Sequence, residues 1–313
     1  MLRVVLSRLL ETLPVLAVVT LAVFLLLRLS PGDPAATLAG DSATPEMIAS
    51  MRQKLGLDEP LSVQFGSWIA QLARGDFGIS ILSQQPVLTM VGQRVEATLS
   101  LALVTMVLAM TVSVPVGILA ASRQGSAFDR FIMAGTVAGF SIPTFVVGYL
   151  LVYIFAIQLR ILPVQGFTPI GESISRFLSH IALPTFTLSL VYIALFARTT
   201  RAAILEVLSE DYIRTARAKG LGEIAILTKH ALRNAAVPIV SVFGIGFAMM
   251  IGGVVVTETV FNIPGIGRLV VEAVLARDYP VIQGVILIIA SVYIVINLAV
   301  DVIYIFLNPK INY

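Results

Sequence analysis

The segment 206-EVLSEDYIRTARAKGLGEIAILTKHALRN-234 is charged, yet it lies between two apolar stretches long enough to cross a bilayer. With Arg198 and Arg201 it holds seven of the chain's 21 Lys and Arg residues. A loop this basic between two spans belongs on the cytoplasmic side. Its first half, Glu206 to Lys219, consists mostly of good helix formers, and Gly220 interrupts the pattern. Beyond Gly220 and Gly222, residues Ile224, Leu227 and Ala231 recur at the spacing of one helical face. The reading is helix, glycine, short helix beneath a membrane, a shape suited to receiving a partner protein.

Composition points the same way. The 313 residues are 58% hydrophobic and 12% charged, and the mean hydropathy is +0.95. A soluble domain carries about twice that charge fraction. The net charge is only +3, and the basic residues cluster beside apolar runs. They therefore read as topology signals and not as a nucleic-acid surface. The chain has no cysteine, which excludes a disulfide framework and a thiolate metal site.

The apolar runs predict an all-α membrane protein with six transmembrane helices, at about 9–29, 97–122, 131–159, 177–200, 234–257 and 279–306. Each reaches the roughly 20 residues a crossing needs. Arg3 and Arg8 precede the first run and place the N-terminus inside. A cleaved signal peptide is the competing reading, but the PGDP that follows is unlike a cleavage region. Six spans then put the C-terminus inside, with Arg123, Arg130 and Lys310. The outer cations Arg160, Arg176, Arg268 and Arg277 are sparser. Residues 31–95 form an extracytoplasmic loop with its own order. Thr44 before Pro45 starts one helix whose apolar face is Met47, Ile48, Met51 and Leu55, ended by Gly56. Leu61, Phe65, Trp68, Ile69 and Leu72 make a second, ended by Gly75. This small helical cap is a packing element or a binding surface.

Small residues punctuate the spans: Gly135 and Gly139, then Gly244, Gly246, Gly252 and Gly253, with Pro115, Pro143 and Pro184. They fit close helix packing. They also fit a fifth span that bends around a pathway, for which Gly246, Met249, Met250, Gly253 and Glu258 are the candidate lining or gate. Pro264, Gly265 and Gly267 make a tight outer turn. No GxxxxGK[ST] occurs, so the chain holds no P-loop. Only His180 and His230 exist, neither in HExxH, and no metal ligand or catalytic residue is assigned. Ser141 in GFSIP fits a packed helix better than a protease nucleophile. Glu11, Arg28, Glu258 and Asp301 lie near span ends. Glu258 is the most buried of them, with a helix-end role set against proton coupling.

The run DYIRTARAKGLGEIAILTKHALRNAAVPIV resembles the cytoplasmic signature loop of membrane-spanning permease subunits of ABC importers, in the dipeptide, oligopeptide, glutathione and nickel group. The general importer pattern is Glu-Ala-Ala, three residues, Gly, then Ile-x-Leu-Pro. Here Arg214, Thr215 and Ala216 hold the first positions, Gly220 the glycine, and His230-Ala231-Leu232-Arg233 replaces the ending, as in the peptide subgroup. SPGDPA at 30–35, LGLDEPL at 55–61, GDFG at 75–78, SIPTF at 141–145, VVTETVFNIPGIGRL at 255–269 and RDYPVIQG at 277–284 extend the likeness along nearly the whole chain.

The resemblance implies the type I importer permease fold, as one transmembrane domain over 1–313 with a coupling loop at 203–233. It implies a second, homologous permease as heterodimer partner, two cytoplasmic ATPase subunits, an extracytoplasmic binding protein, and membrane lipid around the spans. This chain would bind no cofactor, since ATP and Mg would be used by the partner subunits, and it would not itself be an enzyme. The ATPase-coupling residues would be Asp211, Tyr212, Arg214, Thr215, Ala216, Arg217, Ala218, Lys219, Gly220 and Leu221. In that role Ala216 and Ala218 admit a close surface, Arg214, Arg217 and Lys219 offer cations to a carboxylate-lined cleft, Leu221 fills an apolar pocket, and Gly220 permits the reversal. The expected function is import of peptides, glutathione among them, across the cytoplasmic (inner) membrane by alternating access. An ion-coupled secondary transporter, a membrane scaffold, or an importer subunit for nickel or another small solute are the alternatives.

Overall fold

The structure, a computed structural model, describes residues 2–29, 35–36, 43–54 and 56–307. The side chains of 2–10, 26–29, 51, 54 and 301–307 are outside that description. Lys310, most of SPGDPA, and the side chains of Arg28, Met51, Leu55 and Asp301 therefore lie outside the described residues. The described elements are helices, with one isolated bridge between Ile79 and Pro86. They are α1 (Leu2–Leu29), α2 (Pro45–Lys54), α3 (Leu61–Ala73), α4 (Val87–Ser122) and α5 (Ala127–Ser141). Next come α6 (Thr144–Leu151, continued by the π-helical Val152–Gln158), α7 (Ile174–Leu208) and α8 (Asp211–Ala218). Glu223–Ala225, the π-helical Ile226–Ala231 and Leu232–Asn234 follow one another and form α9. The last are α10 (Ala236–Val260), α11 (Ile266–Leu275) and α12 (Tyr279–Leu307). Two compact units result, residues 1–95 with 268–294, and 96–267 with 295–313.

In the first unit, α2 begins at the predicted Thr44–Pro45 cap, and α2 and α3 end just before the predicted glycines. The Met47 N–H reaches the Thr44 hydroxyl at 3.4 Å, and Gly75 closes α3 with φ +79°. Phe65 and Trp68 of α3 pack on Phe24 of α1, with ring centroids 5.1 and 5.7 Å away. Met47, Leu61 and Ile69, placed on the apolar faces by spacing, are exposed instead. The buried Asp278 carboxylate accepts from the Ser80 hydroxyl at 2.6 Å and the Ile81 N–H at 3.1 Å, which latches the turn before α4 to the start of α12.

In the second unit α7 is central, and α4, α5, α6 and α10 pack around it. Glycines set the spacing. A Cβ on Gly117 of α4 would fall 2.7 Å from Thr200 Cβ, and one on Gly253 of α10 would fall 2.9 Å from Leu188 Cδ1. Pro115 and Pro184 sit inside uninterrupted helices, but Pro143 does not. Before it, Ile142 adopts φ −90°, ψ 122°, the extended geometry that a following proline enforces. The span expected at 131–159 is therefore two helices, bent by 99°. Among the described residues four helices are long and apolar enough to cross a membrane: α4, α7, α10 and α12 over 279–300. The bent pair makes up to five, and α1 contributes a shorter apolar stretch, Glu11–Leu25. The expected count of six is reached only if the bent pair and α1 each cross once.

Candidate functional site

The basic segment folds as a tight elbow. Helix α7 ends at Leu208, α8 follows at once, and the chain reverses at Gly220 into α9. Gly220 has φ +81°, while a Cβ there would meet nothing within 4 Å. Glycine is needed for the backbone, not for space. The inner face is apolar. Ile213 and Ile226 are fully buried. Leu227, Ala231 and Ala235 join one cluster with Ala121 of α4, Ala203 and Ile204 of α7, and Ile239 of α10. The elbow is thus seated on the ends of three long helices. Two polar ties close it. Arg217 forks onto Glu223, Nη2 to Oε1 at 2.8 Å and Nε to Oε2 at 3.3 Å, across the Gly220 turn. The Asn234 amide donates to the Tyr212 hydroxyl at 2.9 Å. Donating to the Glu223 carboxyl oxygens raises the Arg217 pKa further.

The outer face carries Tyr212, Leu221 and Ile224, the last 79% exposed, among the exposed Arg214, Thr215, Ala218 and Lys219. Three expectations change. Ala216 is buried within the elbow and does not face outward. Arg217 is committed to Glu223, and Arg214 pairs with Asp211 at 3.2 Å. Ile224 does not share a face with Leu227 and Ala231, because the π-helical turn Ile226–Ala231 advances the chain less per residue than an α-helix and rotates the later side chains out of phase. Beside the elbow lies a groove of about 510 Å³ lined by Arg123, Gln124, Ser126, Leu208, Arg217 and Glu223.

The five pathway candidates on α10 do not share a face. Gly246, Met250 and Gly253 turn toward α7, where Phe196, Tyr192 and Leu188 occupy the space a side chain would need. Met249 is 63% exposed and aligns with Ile245 and Val256. Glu258 is fully buried, accepts the Thr98 hydroxyl at 2.6 Å, and is wrapped by Gly265 and Gly267, whose missing side chains make room for the carboxylate. Thr98 also accepts the Ile266 N–H at 2.8 Å. Spacing gave no sign of this tie, since its two ends lie 160 residues apart. The Ser141 hydroxyl donates to the Val137 carbonyl at 2.9 Å, as a packed helical serine does.

A set of long apolar helices, one of them broken, with a basic elbow seated on three helix ends, marks a multi-pass membrane protein. Residues 1–102 match the family described as binding-protein-dependent transport system membrane component, N-terminal, and residues 113–313 the family described as binding-protein-dependent transport system inner membrane component. The chain belongs to this family and is an ABC importer permease of the type I fold. It is 54% identical over 309 residues, 99% of each chain, to a probable peptide ABC transporter permease of Sinorhizobium fredii. It is 44% identical over 313 residues, all of both chains, to the glutathione transport system permease GsiC of Escherichia coli K12. A putative peptide transport system permease of Brucella suis is 41% identical over the full length of both. In fold it resembles the inward-facing MetNI methionine ABC transporter, with TM-score 0.59, 18% identity, and coverage of 71% of this chain and 97% of that one.

Proposed function

We propose that this permease imports peptides, dipeptides, oligopeptides or glutathione, across the cytoplasmic membrane by alternating access. Two partner ATPases grip the elbow from the cytoplasm and hydrolyse ATP, a homologous permease completes the pathway, and an extracytoplasmic binding protein delivers the solute. ATP and Mg are used by the partners, and both termini face the cytoplasm. The peptide and glutathione permeases among its relatives support the solute class. The observation that carries the coupling role is the elbow itself: apolar beneath, where it is seated on α4, α7 and α10, and studded outside with Tyr212, Leu221 and Ile224. A rigid piece built this way passes a push at its outer face to the helices above it.

The test is co-purification of the ATPases from native membranes in mild detergent. Ile224→Asp changes a side chain that touches little in this chain, so the permease still folds. Burying an isoleucine contributes about 2 kcal/mol, so ATPase affinity falls roughly 30-fold. Leu275→Asp on α11, equally exposed but far along the chain, leaves the ATPases bound. ATPases retained by Ile224→Asp and Leu221→Asp alike contradict the assignment.

A further inference from the structure

One ion pair joins two residues 72 positions apart, a separation that leaves no signal in local spacing. Arg201 of α7 grips Asp129 of α5 with both ends of its guanidinium, Nε to Oδ1 at 2.6 Å and Nη2 to Oδ2 at 2.7 Å. Asp129 is 3% exposed. The same carboxylate accepts the Gly125 N–H at 2.9 Å, and the Asp129 N–H meets the Ser126 hydroxyl at 3.2 Å. The α4–α5 turn and the first turn of α5 are therefore one rigid corner, clamped to α7. Two and three residues beyond Arg201, Ala203 and Ile204 belong to the cluster that seats Leu227 and Ala231 of the elbow. At the far end of α5 is the 99° bend. Continuous contact runs from the elbow, through the end of α7, across the ion pair, and along α5 to the break at Pro143.

We propose that the Asp129–Arg201 pair is the strut through which movement of the elbow reaches the broken α5–α6 span, which makes both positioning residues for transport. The proposal rests on the coupling function above. A bidentate fork fixes angle as well as distance, so it transmits rotation where a single contact slips. The half-exposed Arg217–Glu223 pair, by contrast, closes the elbow on itself and reaches no other helix. Without the strut, the elbow and α7 still move with the ATPases, but α5 does not follow.

The experiment uses the complete importer in lipid vesicles, with peptide uptake and ATP hydrolysis measured on the same sample. In Asp129→Asn and Arg201→Lys the complex assembles and hydrolyses ATP within about twofold of the parent, while peptide imported per ATP falls about tenfold, within the usual span of coupling energies. The chain has no cysteine. Asp129→Cys/Arg201→Cys therefore offers the one thiol pair of this chain, and the same bis-maleimide treatment of the parent importer controls for thiols on its partners. The double variant is uncoupled when reduced and regains coupling when a short bis-maleimide joins the thiols. Unchanged import per ATP in Asp129→Asn overturns the strut, as does a fall that tracks loss of assembled complex or one the crosslink fails to restore. Failure of the coupling function is separately visible, since Ile224→Asp would then keep its ATPases.

Discussion

Two glycines six residues apart on α10 should answer the same substitution with opposite signs. A Cβ on Gly246 lands 2.5 Å from both Cε1 and Cζ of Phe196. Carbon atoms rest about 3.5–4 Å apart, so the ring must retreat by an ångström or more. It has nowhere to go, being fully buried and set edge-on to Phe243 with centroids 4.7 Å apart. Overpacking of this kind costs about 3 kcal/mol at the upper end. The helical preference of alanine over glycine returns about 1 kcal/mol, which leaves Gly246→Ala roughly 2 kcal/mol less stable. At Gly252 a Cβ meets nothing within 4 Å. Only the helical term remains, and Gly252→Ala is about 1 kcal/mol more stable. The two variants differ by about 3 kcal/mol, roughly 5 °C in Tm for 313 residues at about 2.1 cal/mol/K of unfolding entropy per residue. Thermal unfolding of the purified chain in one detergent, followed by circular dichroism, measures it. Equal melting temperatures, or a Gly252 variant below the Gly246 variant, refute close packing of α7 on α10 as the reason for Gly246.

Asp278→Ala strips the turn before α4 of a buried acceptor and leaves the Ser80 hydroxyl and Ile81 N–H without it. The expected loss is about 2 kcal/mol, read as a lower melting temperature and faster protease cleavage within 79–85. Gly220→Ala forces φ +81° on a residue with a Cβ in open space. It costs about 1 kcal/mol of elbow stability, read by hydrogen exchange over 211–234, with Gly220→Asn closer to the parent.

The sequence disclosed the helices, the elbow and its glycine because each rests on a local signal: hydrophobic run length, charge clustering, or a residue that permits positive φ. It disclosed less wherever three-dimensional neighbours decide. Pro143 and Pro184 look alike in one dimension, but Pro184 is buried inside the uninterrupted α7, while the break at Pro143 ends α5. Ile224 fits a helical face until a π-turn rotates the residues after it. Met249 and Met250 are adjacent letters, yet the first is exposed and the second buried, about 100° further round α10. The partners Asp129–Arg201 and Thr98–Glu258, 72 and 160 residues apart, leave no trace in spacing. Gly265 and Gly267 were legible as a turn, but their second task, yielding space to a carboxylate, was not.

The placement of Glu258 bears on how α10 carries a load. At one end, Ile239 is held in the cluster beneath the elbow. At the other, Glu258 is tied to Thr98 of α4, and Thr98 in turn to the Ile266 N–H. A rod fixed at both ends moves as a body, whereas a rod free at one end absorbs the push. Thr98→Val removes the hydrogen bond to the Glu258 carboxyl group and leaves the Ile266 N–H unmet, about 3 kcal/mol of local restraint on the 262–267 turn, and Thr98→Ser retains both bonds. Under the proposed function, Thr98→Val keeps its ATPases and their hydrolysis while uptake per ATP drops, and Thr98→Ser matches the parent. If Thr98→Val imports normally while its 262–267 turn exchanges amide hydrogen faster, the tie is a fastening of the turn alone, and the load leaves α10 through its contacts with α7.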